Sequence, residues 1–169
     1  MYGASKNSNR YIDNHKFHAI LYIDYKFTNE EKDYIIQSAS NWETATNSAA
    51  TFEFVYLPTQ RQINLDKGIL VLKVDSLDTD IITLDVNSEN HMNTLGVCQK
   101  YKTVPYIKIV GNRMTYDIYE AVITHELGHL IGLSHNRKPN TLMYPTTDLG
   151  ASKITDDDVK NFCKLYNCK

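Results

Sequence analysis

The run His125–His135, HELGHLIGLSH, gathers half of the six histidines of the chain, with a glutamate and two glycines among them. Side chains four apart on a helix point within roughly 40° of one another, one turn apart. His125 and His129 can therefore hold one Zn2+ from the same helix face. Glu126 is rotated from His125 by about a hundred degrees. That puts its carboxylate at the rim of such a site, the place for a general base acting on a zinc-activated water. A catalytic zinc also needs a third protein ligand and an open position. A continuing helix would carry later residues away from the ion. Gly132 tolerates positive φ, so the helix can stop there and the chain can return His135 to the metal. The chemistry expected of this set is hydrolysis.

The full H-E-x-x-H-x-x-G-x-x-H string resembles the consensus of the metzincin zinc peptidases at every fixed position. Thr141-Leu142-Met143-Tyr144-Pro145 follows, with Met143 eight residues after His135, similar to the methionine turn beneath the metal in that family. The spacing and the LMYP string look most like the matrixin branch. The resemblance implies a zinc-dependent endopeptidase acting on extended protein or peptide substrates, with His125, His129 and His135 as ligands and Glu126 as base. Gly132 and Met143 would support the site. Gly96, Tyr144 and Pro145 would touch substrate. The histidine- and aspartate-rich stretch that holds a structural zinc and calcium in that branch has no counterpart, and His15, His18 and His91 read as ordinary surface or core residues. One catalytic zinc is expected. A catalytically silent, zinc-stabilised binding module is the alternative.

The elements that must carry these residues can be read from the rest of the chain. Phe17–Tyr25 alternates as a strand. Thr28 opens a helix as TNEE, a capping box with Glu31, and apolar residues at Ile35, Ala39, Trp42, Ala45 and Ala49 give it one buried face up to about Ser48. Strands are expected at Thr51–Leu57, Gly68–Val74, Thr94–Gln99 and Val104–Val110, with a short one possible at Ile81–Val86. Of the two late strands, the one containing Gly96 is the better candidate for a substrate-binding edge, because a glycine allows close approach of another backbone. Tyr116–Ile131 is apolar on several faces and should run through the middle of the domain. Thr155 caps a last helix whose first turn, Asp156–Asp158, complements the helix dipole. That helix should bury Val159, Phe162 and Tyr166. The family resemblance implies an α+β, metzincin-like zincin catalytic domain: a twisted, mixed five-stranded sheet with a long N-terminal helix, a central zinc-binding helix and a C-terminal helix. One domain over residues 1–169 is expected, with 1–15 as a flexible arm.

Bulk properties narrow the function classes. The net charge is −2 and the pI about 6.3, so no basic field points to nucleic acid. No apolar run is long enough to span a bilayer, and the polar start MYGASKNSNRYIDNHK has no signal-peptide core. The family resemblance favours an extracellular location, and a monomer is expected. Three cysteines are too few for a disulfide scaffold; a bridge from Cys98 to Cys163 or Cys168 is the pairing considered.

Overall fold

The computed structural model describes residues 10–77 and 94–168. Six strands form one mixed sheet: β1 (Ile12–Asp13), β2 (Lys16–Ile23), β3 (Ala50–Tyr56), β4 (Gly68–Val74), β5 (Gly96–Gln99) and β6 (Tyr106–Val110). The strand order is β1-β2-β4-β6-β5, with β3 also paired to β2. The β2–β3, β2–β4 and β4–β6 pairs are parallel, while β1–β2 and β5–β6 are antiparallel. The five expected strands are thus joined by a two-residue β1. It is drawn from the stretch 1–15 expected to be a flexible arm, of which residues 10–15 are folded. Tyr11 explains why: its ring is buried against Phe17 and its hydroxyl donates to the Gly68 carbonyl at 3.2 Å. The possible strand at Ile81–Val86 lies outside the described residues.

Among the described residues three α-helices complete the fold: α1 (Asn29–Ala45), α2 (Tyr116–Ile131) and α3 (Asp156–Tyr166). The α1 capping box forms as expected: Glu31 N–H donates to Thr28 Oγ1 at 3.2 Å and Thr28 N–H donates to Glu31 Oε1 at 2.8 Å. The helix stops at Ala45 rather than Ser48, because Asn47 and Ser48 adopt left-handed φ values of 52° and 66°. That turn lets Ser48 N–H reach the Glu43 carbonyl at 2.8 Å and points the chain into β3.

Strand alternation sends Ala19, Leu21, Ile23, Phe52, Ile69, Val71, Ile107 and Ile109 to one face of the sheet, where all are buried. Ile35, Ala39 and Trp42 of α1 and Ile123, Leu127 and Leu130 of α2 belong to the same core. Burying one large apolar side chain stabilises by about 1.5–3 kcal/mol, so this layer fixes where α2 sits. Two polar bonds set its height: Trp42 Nε1–H donates to the Thr124 carbonyl at 2.8 Å and Ser38 Oγ to the Glu120 carbonyl at 3.1 Å.

The cysteine pairing is not the one considered from the sequence. Cys163 bridges Cys168 and Cys98 is free. Asn167 takes a left-handed φ of 54° after the last turn of α3, which folds Cys168 back onto Cys163. Phe162 and Tyr166 are buried as expected, but Val159 is only half-buried and Asp158 takes the buried position on that face.

Candidate metal centre

The last turn of α2 presents His125 and His129 side by side, with ring centroids 4.8 Å apart. Gly132 ends the helix at φ 120°, and the N–H groups of Gly132 and Leu133 turn back onto the Gly128 carbonyl at 3.2 and 2.9 Å. A side chain at that φ would be strained. The bend brings His135 to the same point, so that the ligand atoms of the three histidines lie within 4.8 Å of one another. Among the described residues this is the one group of three or more His, Cys, Asp or Glu side chains so placed.

The donor chemistry fits a zinc ion. His125 Nδ1 lies 2.7 Å from the Leu142 carbonyl and His129 Nδ1 lies 2.8 Å from the Leu133 carbonyl. A carbonyl only accepts, so each Nδ1 carries the hydrogen and each Nε2 keeps its lone pair for a metal. His129 Nε2 and His135 Nε2 are 3.1 Å apart. Two nitrogens on one tetrahedral zinc, each ~2.0–2.1 Å from it, lie roughly 3.3 Å from each other. Burial lowers the pKa of all three rings, to about 4 for His125 and about 3 for His129. They are neutral at physiological pH, the form that binds metal.

Glu126 is buried beside this point, and its Oε2 has no hydrogen-bond partner. Burial alone raises its pKa to about 8. A neighbouring dication would favour the carboxylate and pull the other way. Gly96 of β5 covers Glu126: a Cβ there would come within 3.1 Å of Glu126 Cγ. The missing side chain thus makes room for Glu126, since its direction is toward α2.

Met143 packs against α2 at Gly128, between the two helical histidines in sequence, and is 2 % exposed. Gly128 explains how it fits, because a Cβ at that position would stand 2.5 Å from Met143 Sδ and 3.2 Å from Trp42. The first glycine of the run, Gly128, therefore answers to packing, and Gly132 to the bend. Asp158 of α3 holds the turn. Its carboxylate accepts from Leu142 N–H at 2.9 Å, Met143 N–H at 3.2 Å and Thr155 N–H at 2.8 Å. The Leu142 carbonyl in turn orients His125. Asp158 sits at the third position of the Thr155 capping box. A box with aspartate in the place of the usual glutamate or glutamine was the available signal.

An open cleft runs past the histidines. Gly96, Val97, Cys98, Gln99, Lys100 and Tyr101 form one wall, and Glu126, His129 and His135 form the floor. Among the described residues β5 is an edge strand, whereas β6 lies inside the sheet. Val110 N–H bonds to the Leu95 carbonyl, which sets the ladder phase so that Gly96 and Cys98 turn their backbone groups to the free edge. Burial pushes the Cys98 thiol well up, with the Glu126 charge adding to it. Tyr144 is half-buried and Pro145 exposed, and neither lines this cleft.

A twisted mixed sheet over a helix that ends in a three-histidine bend defines a metzincin-type zinc metalloprotease domain. The model of the matrixin family matches residues 7–167, and the chain belongs to that family. Human matrilysin is 48% identical over 46 residues, 25% of this chain and 17% of that protein. Metalloendoproteinase 2-MMP of Arabidopsis thaliana is 45% identical over 49 residues, 28% of this chain and 13% of its own length. The matched part therefore spans less than a fifth of either relative. The hatching-enzyme zinc-protease high choriolytic enzyme 1 of Oryzias latipes shares the fold at TM-score 0.56 and 13% identity, over 94% of this chain and 93% of that one.

Proposed function

We propose that the chain is a zinc endopeptidase that hydrolyses peptide bonds of extended protein substrates. The observation that carries this is the convergence of three metal-ready imidazoles beside an unpartnered, buried Glu126 oxygen in a cleft walled by an edge strand. His125, His129 and His135 would hold one catalytic zinc. Such an ion polarises a carbonyl and acidifies water. Glu126 then takes a proton from the attacking water on Oε2 and delivers it to the leaving amine. Its burial at the cleft floor keeps the carboxylate desolvated and close to the reacting atoms. Gly132 and Met143 hold the ligand geometry. The substrate lies as an added strand on β5, bonded to the backbone of Gly96 and Cys98. Tyr144 and Pro145 would meet it farther along, beyond the histidines. Family membership favours an extracellular place of action.

The test is Glu126→Ala in the zinc-loaded protein. Cleavage of an unfolded protein should fall by about 10²–10⁴-fold while one zinc per chain is retained. A native chain with full zinc that cleaves nothing in a broad peptide library would instead be a silent binding module.

A further inference from the structure

We infer that Lys100 is a positioning residue that seats the cleft strand β5 on the end of α2, and through that seat sets the affinity for long substrates; the substrate part rests on the function proposed above. Lys100 directly follows β5 and is only 2 % exposed. Its Nζ donates to the His129 carbonyl at 3.1 Å and to the Leu130 carbonyl at 3.3 Å. A lysine buried to that degree without a carboxylate is unusual, and here the end of a helix supplies its partners. The last four carbonyls of a helix lack partners within it. In α2 they are divided among separate elements. Gly128 serves the bend, His129 serves Gly132 N–H and Lys100, Leu130 serves Lys100, and Ile131 accepts from the Tyr166 hydroxyl. The ammonium also meets the negative end of the helix dipole.

The strand needs this anchor more than the helix does. α2 is held by Trp42, by the core and by Tyr166. His129 is fixed independently of Lys100, through its Nδ1 bond to the Leu133 carbonyl and the Gly132 N–H on its own carbonyl. β5 has four residues and, among the described residues, one strand partner, β6, with Cys98 packed against the core. Alternation turns Gly96, Cys98 and Lys100 toward α2. Gly96 has no side chain to pack there, and Lys100 fastens the far end of the strand. A peptide that adds to the free edge of β5 binds a strand whose position relative to Glu126 is set at that anchor.

The experiment compares Lys100→Met and Lys100→Arg with the wild type, all zinc-loaded. Amide hydrogen exchange at Val97 and Gln99, which face β6, should quicken by about tenfold or more in the Met variant, with the amides of α2 unchanged. KM for a peptide of about eight residues should rise by about fivefold or more, and by a larger factor than KM for a blocked tripeptide, while the zinc content stays as in the wild type. Arg, which keeps a charged donor for both carbonyls, should restore both values. If the Met variant does not fold, Lys100→Gln is used, and it should lie between wild type and the expected Met values. Unchanged exchange at Val97 and Gln99 overturns the inference. So does faster exchange across α2 as well, or an equal rise in KM for both peptides. If the wild type cleaves no peptide, the proposed activity fails, and the exchange data still decide whether Lys100 seats the strand.

Discussion

Removing the Asp158 carboxylate should damage stability and metal binding together, by separable routes. Asp158 is completely buried and accepts from two buried backbone groups, Leu142 N–H and Met143 N–H. Each such group left without a partner costs about 1–3 kcal/mol. Asp158→Ala also loses the capping interaction with Thr155, worth about 1 kcal/mol. The sum is about 3–7 kcal/mol. For a domain of this size each kcal/mol lowers Tm by about 2–4 °C, so a fall of about 6–28 °C is expected. Asp158→Asn keeps one acceptor oxygen but turns an amide N–H toward a backbone N–H, so it should fall between the wild type and Ala. The metal effect comes through Leu142, whose carbonyl fixes the ring of His125. Losing such an orienting partner weakens metal binding by about 10–100-fold. Thermal unfolding of the metal-free protein reads the first effect, and chelator competition at a temperature where both variants are folded reads the second. An Asn variant that matches wild type in both measurements refutes the reasoning.

Gly132→Ala should cost about 1–2 kcal/mol for the left-handed backbone and displace His135, so zinc should be lost to a chelator at lower concentration than from the wild type. Glu31 is subject to burial, which raises its pKa, but the Lys73 ammonium at 2.8 Å and the Thr28 N–H outweigh this and the net shift is downward. Its contribution to stability is therefore complete above the ordinary value of 4.5 and is lost as pH falls through the lower folded value; between 4.5 and that folded value, Tm plotted against pH should drop less steeply in Glu31→Gln than in the wild type. Replacing both Cys163 and Cys168 by serine opens a bridge of sequence separation 5 and should cost about 2 kcal/mol by loop-closure entropy, checked by denaturant unfolding under non-reducing conditions.

The zinc-binding run was legible because its chemistry obeys helical periodicity: two ligands a turn apart, a glycine where the turn must break, and a third ligand after it. The caps at Thr28 and Thr155 were legible for a similar reason, since each is complete within four residues. What escaped reading depends on contacts between distant segments. Lys100 reads as a solvated lysine until the end of α2 is placed against it. Asp158 reads as one more acid suited to the helix dipole, because the sequence does not disclose that the turn around Met143 folds under it. Gly96 shows the limit from another side: the residue was singled out, yet its missing side chain answers to Glu126, which the strand pattern alone could not reveal. The Cys163–Cys168 pair follows from the left-handed cap at Asn167, a backbone choice that propensity does not impose.

The hydroxyl of Tyr166 on the Ile131 carbonyl and the carboxylate of Asp158 under Leu142 both come from α3, the last helix described. A nascent polypeptide emerging from the ribosome displays the histidine run well before either group is available. Until α3 has docked, the ring of His125 lacks its fixed orientation and the end of α2 lacks one of its caps, so the three-histidine centre takes its final form only after the residues through Tyr166 have been made.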